Sequence, residues 1–367
     1  MNNKTKNIFQ VILLAVVLFV FSFWAWFKPD SDFSSTERRE LDMLPEVSIN
    51  SILEGRFMSG FEEYTLDQFP IRDAFRTIKA FTSKYIFAHL DNNDVYITSD
   101  GMVGKHEYPL KEDQLILASK KFKYLYDTYF KDNGGNAFIS VIPDKNAFIA
   151  EQSGHLSMDY DEFIQIMKDN TNFAEFIDIR DLLSAEDYYL TDTHWKQEMI
   201  TDVADRLADK MGVVLDKNYK TNTLDREFDG VYYGQAALPV QKDTLKYLTS
   251  DIIDSCIVTN GEIGQKMSMY DFEKAYGKDA YETFLSGSLS LITIENPNAT
   301  TDKELVVFRD SFGSSLVPLL ASGYKSITVV DIRYIASIVL GRYIDFENKD
   351  VLFVYSTLVL NNSSMLK

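Results

Sequence analysis

Hydrophobic residues first gather in one run near the start of the chain. Residues 8–27 contain one amide and one serine among otherwise apolar side chains. A helix over this range rises about 1.5 Å per residue and reaches roughly 30 Å, the thickness of a membrane's hydrocarbon core. Lys4 and Lys6 precede the run, which favours a cytoplasmic segment 1–7 and an extracytoplasmic location for the bulk of the chain. The pattern predicts a single transmembrane helix over residues 8–27.

A cleaved signal peptide is the alternative interpretation of this run. Its apolar core is usually only about 7–15 residues long and ends at a pair of small residues. Bulky aromatic side chains fill most of the outer end here, and Ser22 and Ala25 are too far apart to form such a site. The length of the run and the missing site favour a retained anchor.

The residues that follow alternate between polar and helical patterns. Residues 28–45 are polar and bounded by prolines, which predicts a linker. Residues 46–90 carry spaced apolar side chains and predict helices that are interrupted at Pro70. Residues 94–105 predict a short hairpin around an Asp-Gly turn.

Short apolar runs, bounded by turn residues, predict buried strands over most of the remaining chain. These runs are residues 136–142, 176–179, 305–308, 327–330 and 351–355. Helical spacing separates them, at residues 113–131, from Trp195 to Met211, and at residues 314–321. This alternation predicts a mostly parallel α/β sheet within one domain over residues 46–367. Residues 213–300 are rich in turn residues and are predicted to form an insertion in that domain.

Composition narrows the possible functions. The chain has 37 Lys and Arg against 55 Asp and Glu, a formal charge of −18 that disfavours a nucleic-acid partner. Cys256 is the single cysteine, which excludes an internal disulfide framework and a Cys-rich zinc site. No two of the four histidines lie within four positions of each other, so no short-range histidine metal site is expected. The sequence indicates no metal and no cofactor.

One candidate site lies where Asp192 and His194 precede a predicted helix. Two residues apart, they do not share a helix face and meet only if the backbone turns between them. In such a turn Asp192 would accept the Nδ1–H of His194 and leave Nε2 free as a general base. The alternative is that Asp192 or Thr193 only caps the helix and His194 is a partly buried filler.

The second candidate site is the turn after the strand at residues 305–308. Ser311 would lie at the carboxyl end of that strand, where open α/β sheets bind ligands. The backbone N–H groups of Phe312 and Gly313 begin the next helix and would hold a developing oxyanion. The alternative is again a capping serine. Combined with Asp192 and His194, Ser311 would supply the nucleophile of a triad.

These motifs resemble a known family. Asp192-Thr193-His194-Trp195, followed by Asp310-Ser311-Phe312, is similar to alginate O-acetyltransferase-type SGNH hydrolase-like proteins, and closer to the DHHW family. The resemblance extends to residues 37–41, 67–73 and 142–146, and is weakest over residues 213–300.

The resemblance implies a fold, an activity and a partner. The fold would be an SGNH-like (flavodoxin-like) three-layer α/β/α domain that faces outward behind the N-terminal membrane helix. The activity would be O-acetyl transfer to, or removal from, an extracytoplasmic polysaccharide, with Ser311 as nucleophile, His194 as base and Asp192 as orienting acid. A membrane-bound O-acyltransferase would deliver the acetyl group, because acetyl-CoA is cytoplasmic.

The sequence departs from the family pattern at three positions. Thr193 stands where the family name has His, and Arg309 precedes the Asp-Ser pair where SGNH hydrolases usually have Gly. The Asn-bearing oxyanion block corresponds to residues 284–288, with Ser288 at the Asn position. A hydroxyl donates only one hydrogen bond, and losing an oxyanion donor costs about 10²–10³ in rate. These departures put full activity in question, and not the fold.

Three further residues are candidates for substrate binding. Arg333, with Tyr334 beside it, follows a predicted strand and would bind an acyl oxygen or a sugar carboxylate; a structural ion pair with Asp331 is the alternative. Tyr233, next to Tyr232, would stack on a sugar ring, or both would pack in the core.

The leading hypothesis is a membrane-anchored O-acetyltransferase of cell-envelope or secreted polysaccharide. An acetyl esterase at the same site is the nearest alternative, because both reactions pass through the same acyl-enzyme. A glycan-binding scaffold without catalytic activity is the alternative from outside the enzymes. The departures from the family pattern at Ser288 and Arg309 motivate it.

Overall fold

A computed structural model describes residues 3–367, which divide into two units. One unit comprises the described residues up to 92 together with residues 234–239, and the other comprises the rest. Of the predicted cytoplasmic segment 1–7, the first two residues lie outside the described chain, and the others already belong to a helix.

The first unit is built from one long apolar helix and three shorter helices. Its elements are α1 Asn3–Phe27, β1 Phe33–Ser34, β2 Arg39–Glu40, α2 Ile49–Leu53, α3 Arg56–Asp67 and α4 Arg72–Phe81, which a π-helical turn continues over Thr82–Ile86. Within residues 3–367, α1 is the one helix that is long and apolar enough to cross a membrane. The break at Pro70, between α3 and α4, was predicted, whereas the predicted linker contains the small β1–β2 ribbon.

The second unit carries the remaining strands and helices. The strands are β3 Val95–Ile97, β4 Val103–Lys105, β5 Ala137–Ile142, β6 Glu175–Phe176, β7 Lys220–Phe228, β8 Asp243–Thr249, β9 Ile257–Asn260, β10 Gln265–Met267, β11 Leu291–Glu295, β12 Glu304–Arg309, β13 Ser326–Val330 and β14 Asp350–Ser356. The helices that lie or begin in it are α5 Glu112–Leu125, α6 Asn146–Ile149, α7 Tyr160–Asn170, α8 Thr201–Lys210, α9 Val231–Ala236, α10 Asp251–Ser255, α11 Phe272–Ala275, α12 Phe312–Leu320 and α13 Thr357–Leu360. A π-helical turn, Tyr126–Phe130, continues α5. Short 3₁₀ turns occur at Glu151–Ser153, Arg180–Leu182, Ala185–Asp187, Gln197–Met199, Ala280–Thr283, Ala321–Gly323, Ser337–Arg342 and Ser363–Met365.

An eight-stranded sheet forms the centre of the second unit, in the order β10-β9-β11-β13-β12-β14-β5-β6. The five strands from β13 to β6 are parallel, and β11, β9 and β10 continue the sheet in antiparallel pairings. The predicted mostly parallel α/β sheet is therefore confirmed. The strands β12 and β14 lie side by side, so their carboxyl ends meet at one edge of the sheet.

Helices cover both faces of this sheet. Successive residues of β12 alternate between two cores: Leu305 and Val307 pack on the side of α8 and α12, and Val306 and Phe308 on the side of α5 and α7. This alternation follows from the two-residue period of a strand, and burial on both faces explains why the strands read as continuous apolar runs. The result is a three-layer α/β/α arrangement.

The structure corrects two sequence expectations about elements. The helix predicted from Trp195 begins only at Thr201, because the preceding residues turn back on Tyr188 in a hairpin-like loop. The strand predicted over residues 176–179 is a two-residue strand one position earlier, β6. Residues 213–300 contain the separate β7–β8 ribbon and also the three antiparallel strands of the central sheet.

Candidate active site

Ser311 lies at the carboxyl end of β12, where the chain enters α12. Its backbone is already helical, with φ −61° and ψ −26°, and its side chain makes no capping hydrogen bond to the helix. Its Oγ instead lies 2.8 Å from Nε2 of His194. The alternative in which Ser311 serves only as a helix cap is therefore wrong for this structure.

His194 and Asp192 meet within the loop before α8. The loop closes through Tyr189 N–H, which donates to the carbonyl of His194 at 3.1 Å. Asp192 Oδ1 accepts the backbone N–H of His194 at 3.1 Å and lies 2.6 Å from His194 Nδ1. Because α8 begins at Thr201, neither Asp192 nor Thr193 caps that helix, and the capping alternative is wrong here as well.

The geometry fixes how protons can be arranged among these three side chains. An ionised carboxylate only accepts hydrogen bonds, so the 2.6 Å contact with Asp192 requires His194 Nδ1 to carry its proton. Nε2 is then an acceptor for the Ser311 hydroxyl at 2.8 Å. Asp192 and His194 are both buried, which shields the pair from water. This is the arrangement in which a histidine activates a serine nucleophile.

Two backbone segments hold the Asp192 carboxylate in place. Its Oδ2 accepts the N–H of Val231 at 2.8 Å. The residue before Val231 must be small, because a Cβ on Gly230 would lie 2.2 Å from the carbonyl carbon of Thr191. The Thr191 hydroxyl both accepts from Gly230 N–H at 2.9 Å and donates to Asp243 at 2.6 Å. Asp243 thereby supports the loop, and burial raises the pKa of its carboxyl.

Lys145 supports the loop that contains Asp192 and His194. Its ammonium donates to the carbonyls of Tyr189 and Leu190, both at 3.1 Å, and lies 5.0 Å from the ring centroid of Tyr232. Complete burial lowers the pKa of Lys145 to about 7, although Asp192 and other nearby carboxylates oppose the shift. The residue belongs to the motif at 142–146 that carried part of the family resemblance.

Trp195 and Gln197 join the histidine loop to α12. The Trp195 indole N–H lies 3.1 Å from the carbonyl of Phe312 and 3.0 Å from the hydroxyl of Ser315. The Gln197 amide donates to the carbonyl of Ser315 at 2.8 Å. These bonds fix the distance between the loop of His194 and the helix that starts at Ser311.

Tyr281 is a site residue that the sequence reasoning missed. Its ring stacks on the imidazole of His194, with centroids 3.8 Å apart and planes 7° from parallel. Its hydroxyl lies 2.8 Å from the hydroxyl of Ser315, which holds the ring in position. Nothing in the sequence singles it out, because it lies in the turn-rich region as one of 21 tyrosines.

The expected oxyanion donors are already engaged in the turn at Ser311. Phe312 N–H donates to the side chain of Asp310 at 3.0 Å, and Gly313 N–H donates to its carbonyl at 3.1 Å. Asp310 is fixed in turn by Ser356, whose N–H and hydroxyl donate to Oδ2 at 2.7 and 2.6 Å. The helical backbone of Ser311 directs both amides into this turn, and their role as oxyanion donors stays a prediction.

The other predicted binding residues are dispersed around the carboxyl ends of the strands. Ser288 is exposed in a strained turn, since Leu285 and Ser286 have φ values of 52°. That turn lies near the end of β12, because buried Arg309 donates to the carbonyl of Gly287 at 3.1 Å.

Arg333 forms the ion pair given as its structural alternative. Its Nη2 donates to Asp331 at 2.7 Å, and its guanidinium carbon lies 5.4 Å from the ring centroid of the exposed Tyr334. Tyr233 is half-buried beside Lys242, and its neighbour Tyr232 is buried. None of these contacts links Arg333 or Tyr233 to Asp192, His194 or Ser311.

Among residues 3–367, no group of three or more His, Cys, Asp or Glu side chains could hold a metal ion. Cys256, the single thiol, is half-buried, and burial raises its pKa to about 11.

Comparisons with known proteins bear on the fold. No protein-family profile matches the sequence, and no curated protein matches it. A DHHW family protein from Eubacterium siraeum is similar in structure, with 21% identity, a TM-score of 0.61, and coverage of 75% of this chain and 94% of that one. The structure of Bacillus cereus PatB1 with a sulfonyl adduct is also similar, with 18% identity, a TM-score of 0.56, and coverage of 72% and 94%.

This chain has the fold of a DHHW family protein. The resemblance drawn from the Asp-x-His-Trp and Asp-Ser-Phe motifs is confirmed at the level of the fold, and so is the three-layer α/β/α class with a mostly parallel sheet.

Proposed function

We propose that this protein is a membrane-anchored O-acetyltransferase that modifies polysaccharide outside the cytoplasm through Ser311, His194 and Asp192. The observation that carries the proposal is the continuous contact from Asp192 to His194 Nδ1 at 2.6 Å and from His194 Nε2 to Ser311 at 2.8 Å. A serine in such contact with a buried histidine–carboxylate pair is a nucleophile with its base in place.

The reaction consists of two acyl transfers. In the first, Ser311 Oγ attacks the carbonyl carbon of an acetyl ester while its proton passes to His194 Nε2. The bond to the leaving alcohol breaks, and His194 returns the proton to that alcohol, which leaves acetyl–Ser311. In the second, His194 takes the proton of a sugar hydroxyl, whose oxygen attacks the acetyl carbon. The bond from that carbon to Ser311 Oγ breaks, and His194 returns the proton to Oγ, which restores free Ser311. Asp192 stabilises the imidazolium in both steps.

The helix α1 supports the proposed location. Its length and composition suit a membrane span, and Lys4 and Lys6 favour an outward-facing bulk. A membrane-bound O-acyltransferase would supply the acetyl group there, as the family resemblance implies.

An acetyl esterase is the second candidate, since water would replace the sugar hydroxyl in the same second step. The engagement of the Phe312 and Gly313 amides favours a third possibility, a glycan-binding scaffold, because oxyanion donors contribute about 10²–10³ in rate. In the catalytic proposal, Phe312, Gly313, Ser288 and Arg333 all stay candidate donors to the oxyanion.

The test uses the full chain in detergent with 4-nitrophenyl acetate as donor and a panel of neutral and amino-sugar oligosaccharides as acceptors. We expect saturable nitrophenolate release and acetylated oligosaccharide, both reduced to background in Ser311→Ala. Release without acetylated sugar would indicate the esterase. Glycan binding without release, in folded protein, would contradict catalysis and favour the scaffold.

A further inference from the structure

The helices that follow α1 expose an unusual amount of apolar surface. On α4 and its π-helical continuation, Ile71, Phe75, Ile78, Phe81 and Tyr85 recur at spacings of three and four residues, and all five are exposed. Ile78 is 59% exposed and Phe81 is 52% exposed. A water-facing helix normally presents charged side chains, so a face of this kind marks a contact with an apolar partner.

The opposite side of the same helix is charged and already partnered. Arg72 and Arg76 both pair with Glu37, and Arg72 also lies 3.2 Å from Asp67. Asp67 accepts two hydrogen bonds from Arg39, which hold the pKa of its carboxyl down at about 2. The unit therefore fixes α4 by its polar side and leaves the apolar side uncovered.

Contacts with α1 set the depth of this apolar face. Phe21 of α1 stacks on Phe69 at 5.6 Å and contacts Phe75 edge-on at 5.5 Å between ring centroids. Phe21 precedes the helix end at Phe27 by six residues, which is about 9 Å of helix rise. The rings of Phe69 and Phe75 lie closer to Phe21 than this rise of about 9 Å. They are therefore nearer to the membrane centre than the outer end of α1 is. If α1 spans the membrane, Phe69 and Phe75 lie at the depth of the outer leaflet.

A groove between α1 and α3 is also mostly apolar. It has a volume of about 770 Å³ and is lined mostly by apolar side chains, with Gln68 and Asp30 among the few polar ones. Its apolar lining includes Val17, Leu18, Phe21, Phe61, Phe69 and Phe75. A groove that opens beside a membrane helix at leaflet depth suits an acyl chain.

We infer that α3, α4 and the turn to Ile86 form a second membrane element, which lies in the outer leaflet beside α1 with lipid acyl chains on its exposed apolar face. The inference rests on the proposed role of α1 as an anchor and is independent of the chemistry at Ser311. It follows from the continuity between α1 and the aromatic contacts at Phe69 and Phe75, and from an amphipathic pattern typical of interfacial helices.

Fluorescent labels on single cysteines test this placement in the full chain. With Cys256→Ser as background, Ile78→Cys and Phe81→Cys report on the apolar face, and Asp73→Cys on the same helix is the matched control for the polar side. Leu14→Cys reports on α1. Each variant carries an environment-sensitive label in vesicles of phosphatidylcholine and phosphatidylglycerol, with and without chain-brominated lipid, and with aqueous iodide as a second quencher.

We expect brominated lipid to quench the labels at positions 78 and 81 to an extent comparable with position 14, and iodide to quench position 73 alone. Quenching by brominated lipid at position 14, together with quenching by iodide at positions 78 and 81, would overturn the inference and leave the anchor intact. The same result is expected if a membrane protein covers the apolar face in the cell, because these vesicles contain no such protein. Iodide access at all four positions would overturn both the anchor and the inference.

Discussion

Replacing Asp192 by Asn perturbs the candidate site with almost no change in volume. The carboxylate accepts from His194 Nδ1 and from the His194 backbone through Oδ1, and from Val231 N–H through Oδ2. Asparagine has one acceptor oxygen, so its NH₂ must face either Val231 N–H or the imidazole. In the second case His194 adopts the tautomer with the proton on Nε2, which cannot accept the Ser311 proton.

The size of the effect follows from the contact distance. The nearest atoms of Asp192 and His194 lie 2.6 Å apart. Because both charges are delocalised, their centres lie about 4 Å apart, where an effective dielectric constant of about 20 gives an attraction of about 4 kcal/mol. The imidazolium of the transition state loses this stabilisation in Asp192→Asn. At about 1.4 kcal/mol per factor of ten, we expect the rate of acyl-enzyme formation to fall about 10³-fold.

The assay is the initial burst of nitrophenolate from 4-nitrophenyl acetate, followed from pH 5 to 8. Asp181→Asn is the matched control, because Asp181 is an exposed partner of Arg206. Thermal unfolding of both variants checks that each is folded. A folded Asp192→Asn protein that keeps its burst rate to within about fivefold of wild type would refute the role of Asp192, because that loss corresponds to only about 1 kcal/mol.

Two further changes test the surroundings of the site, and a third tests a partly buried carboxyl elsewhere in the second unit. Tyr281→Leu removes the ring stacked 3.8 Å from the His194 imidazole, so we expect a loss of about tenfold in burst rate, against a few-fold loss for Tyr281→Phe; equal rates in both would contradict a positioning role. Gly230→Ala places a Cβ 2.2 Å from the Thr191 carbonyl carbon, so we expect the free energy of unfolding to fall by about 1–3 kcal/mol, and an unchanged thermal midpoint would contradict the packing. Burial raises the pKa of Glu107 to about 7 from its usual 4.5, because the folded state favours the neutral carboxyl. The contribution of this protonated side chain to stability is therefore present below pH 4.5 and is lost as the pH rises to 7. Glu107→Gln should therefore raise the free energy of unfolding at pH 8 by about 1–3 kcal/mol and flatten its pH dependence in denaturant titrations; a less stable variant at pH 8 would contradict this sign.

The central strands could be predicted because burial on both faces leaves a direct mark on the sequence. The runs at residues 305–308, 327–330 and 351–355 lie within β12, β13 and β14, and each observed strand extends the prediction by no more than one residue at either end. The start of α8 could not be predicted in the same way. Trp195 continues the apolar spacing of the helix, but its indole N–H is bound to Phe312 and Ser315 across the site, and that tertiary contact holds it in the loop.

The same distinction applies to the site. Ser311, His194 and Asp192 could be selected because a strand-to-helix turn and an Asp-x-His pair are local patterns. The contributions of Tyr281 and Asp243 could not be, because each depends on a long-range contact with the histidine loop. The turn bonds of the oxyanion candidates could not be predicted either: a helical Ser311 allows Asp310 to accept the Phe312 N–H, and no sequence pattern distinguished that turn from an open one.

Peptide mapping by mass spectrometry is the most direct test of the proposal that Ser311 is an activated nucleophile. The full chain is incubated briefly with 4-nitrophenyl acetate, quenched in acid and digested, in parallel with His194→Ala. We predict one acetyl group on the oxygen of Ser311 in the wild-type protein and its loss in His194→Ala. An unmodified Ser311 in folded wild-type protein, or equal acetylation of Ser311 in both proteins, would contradict the account.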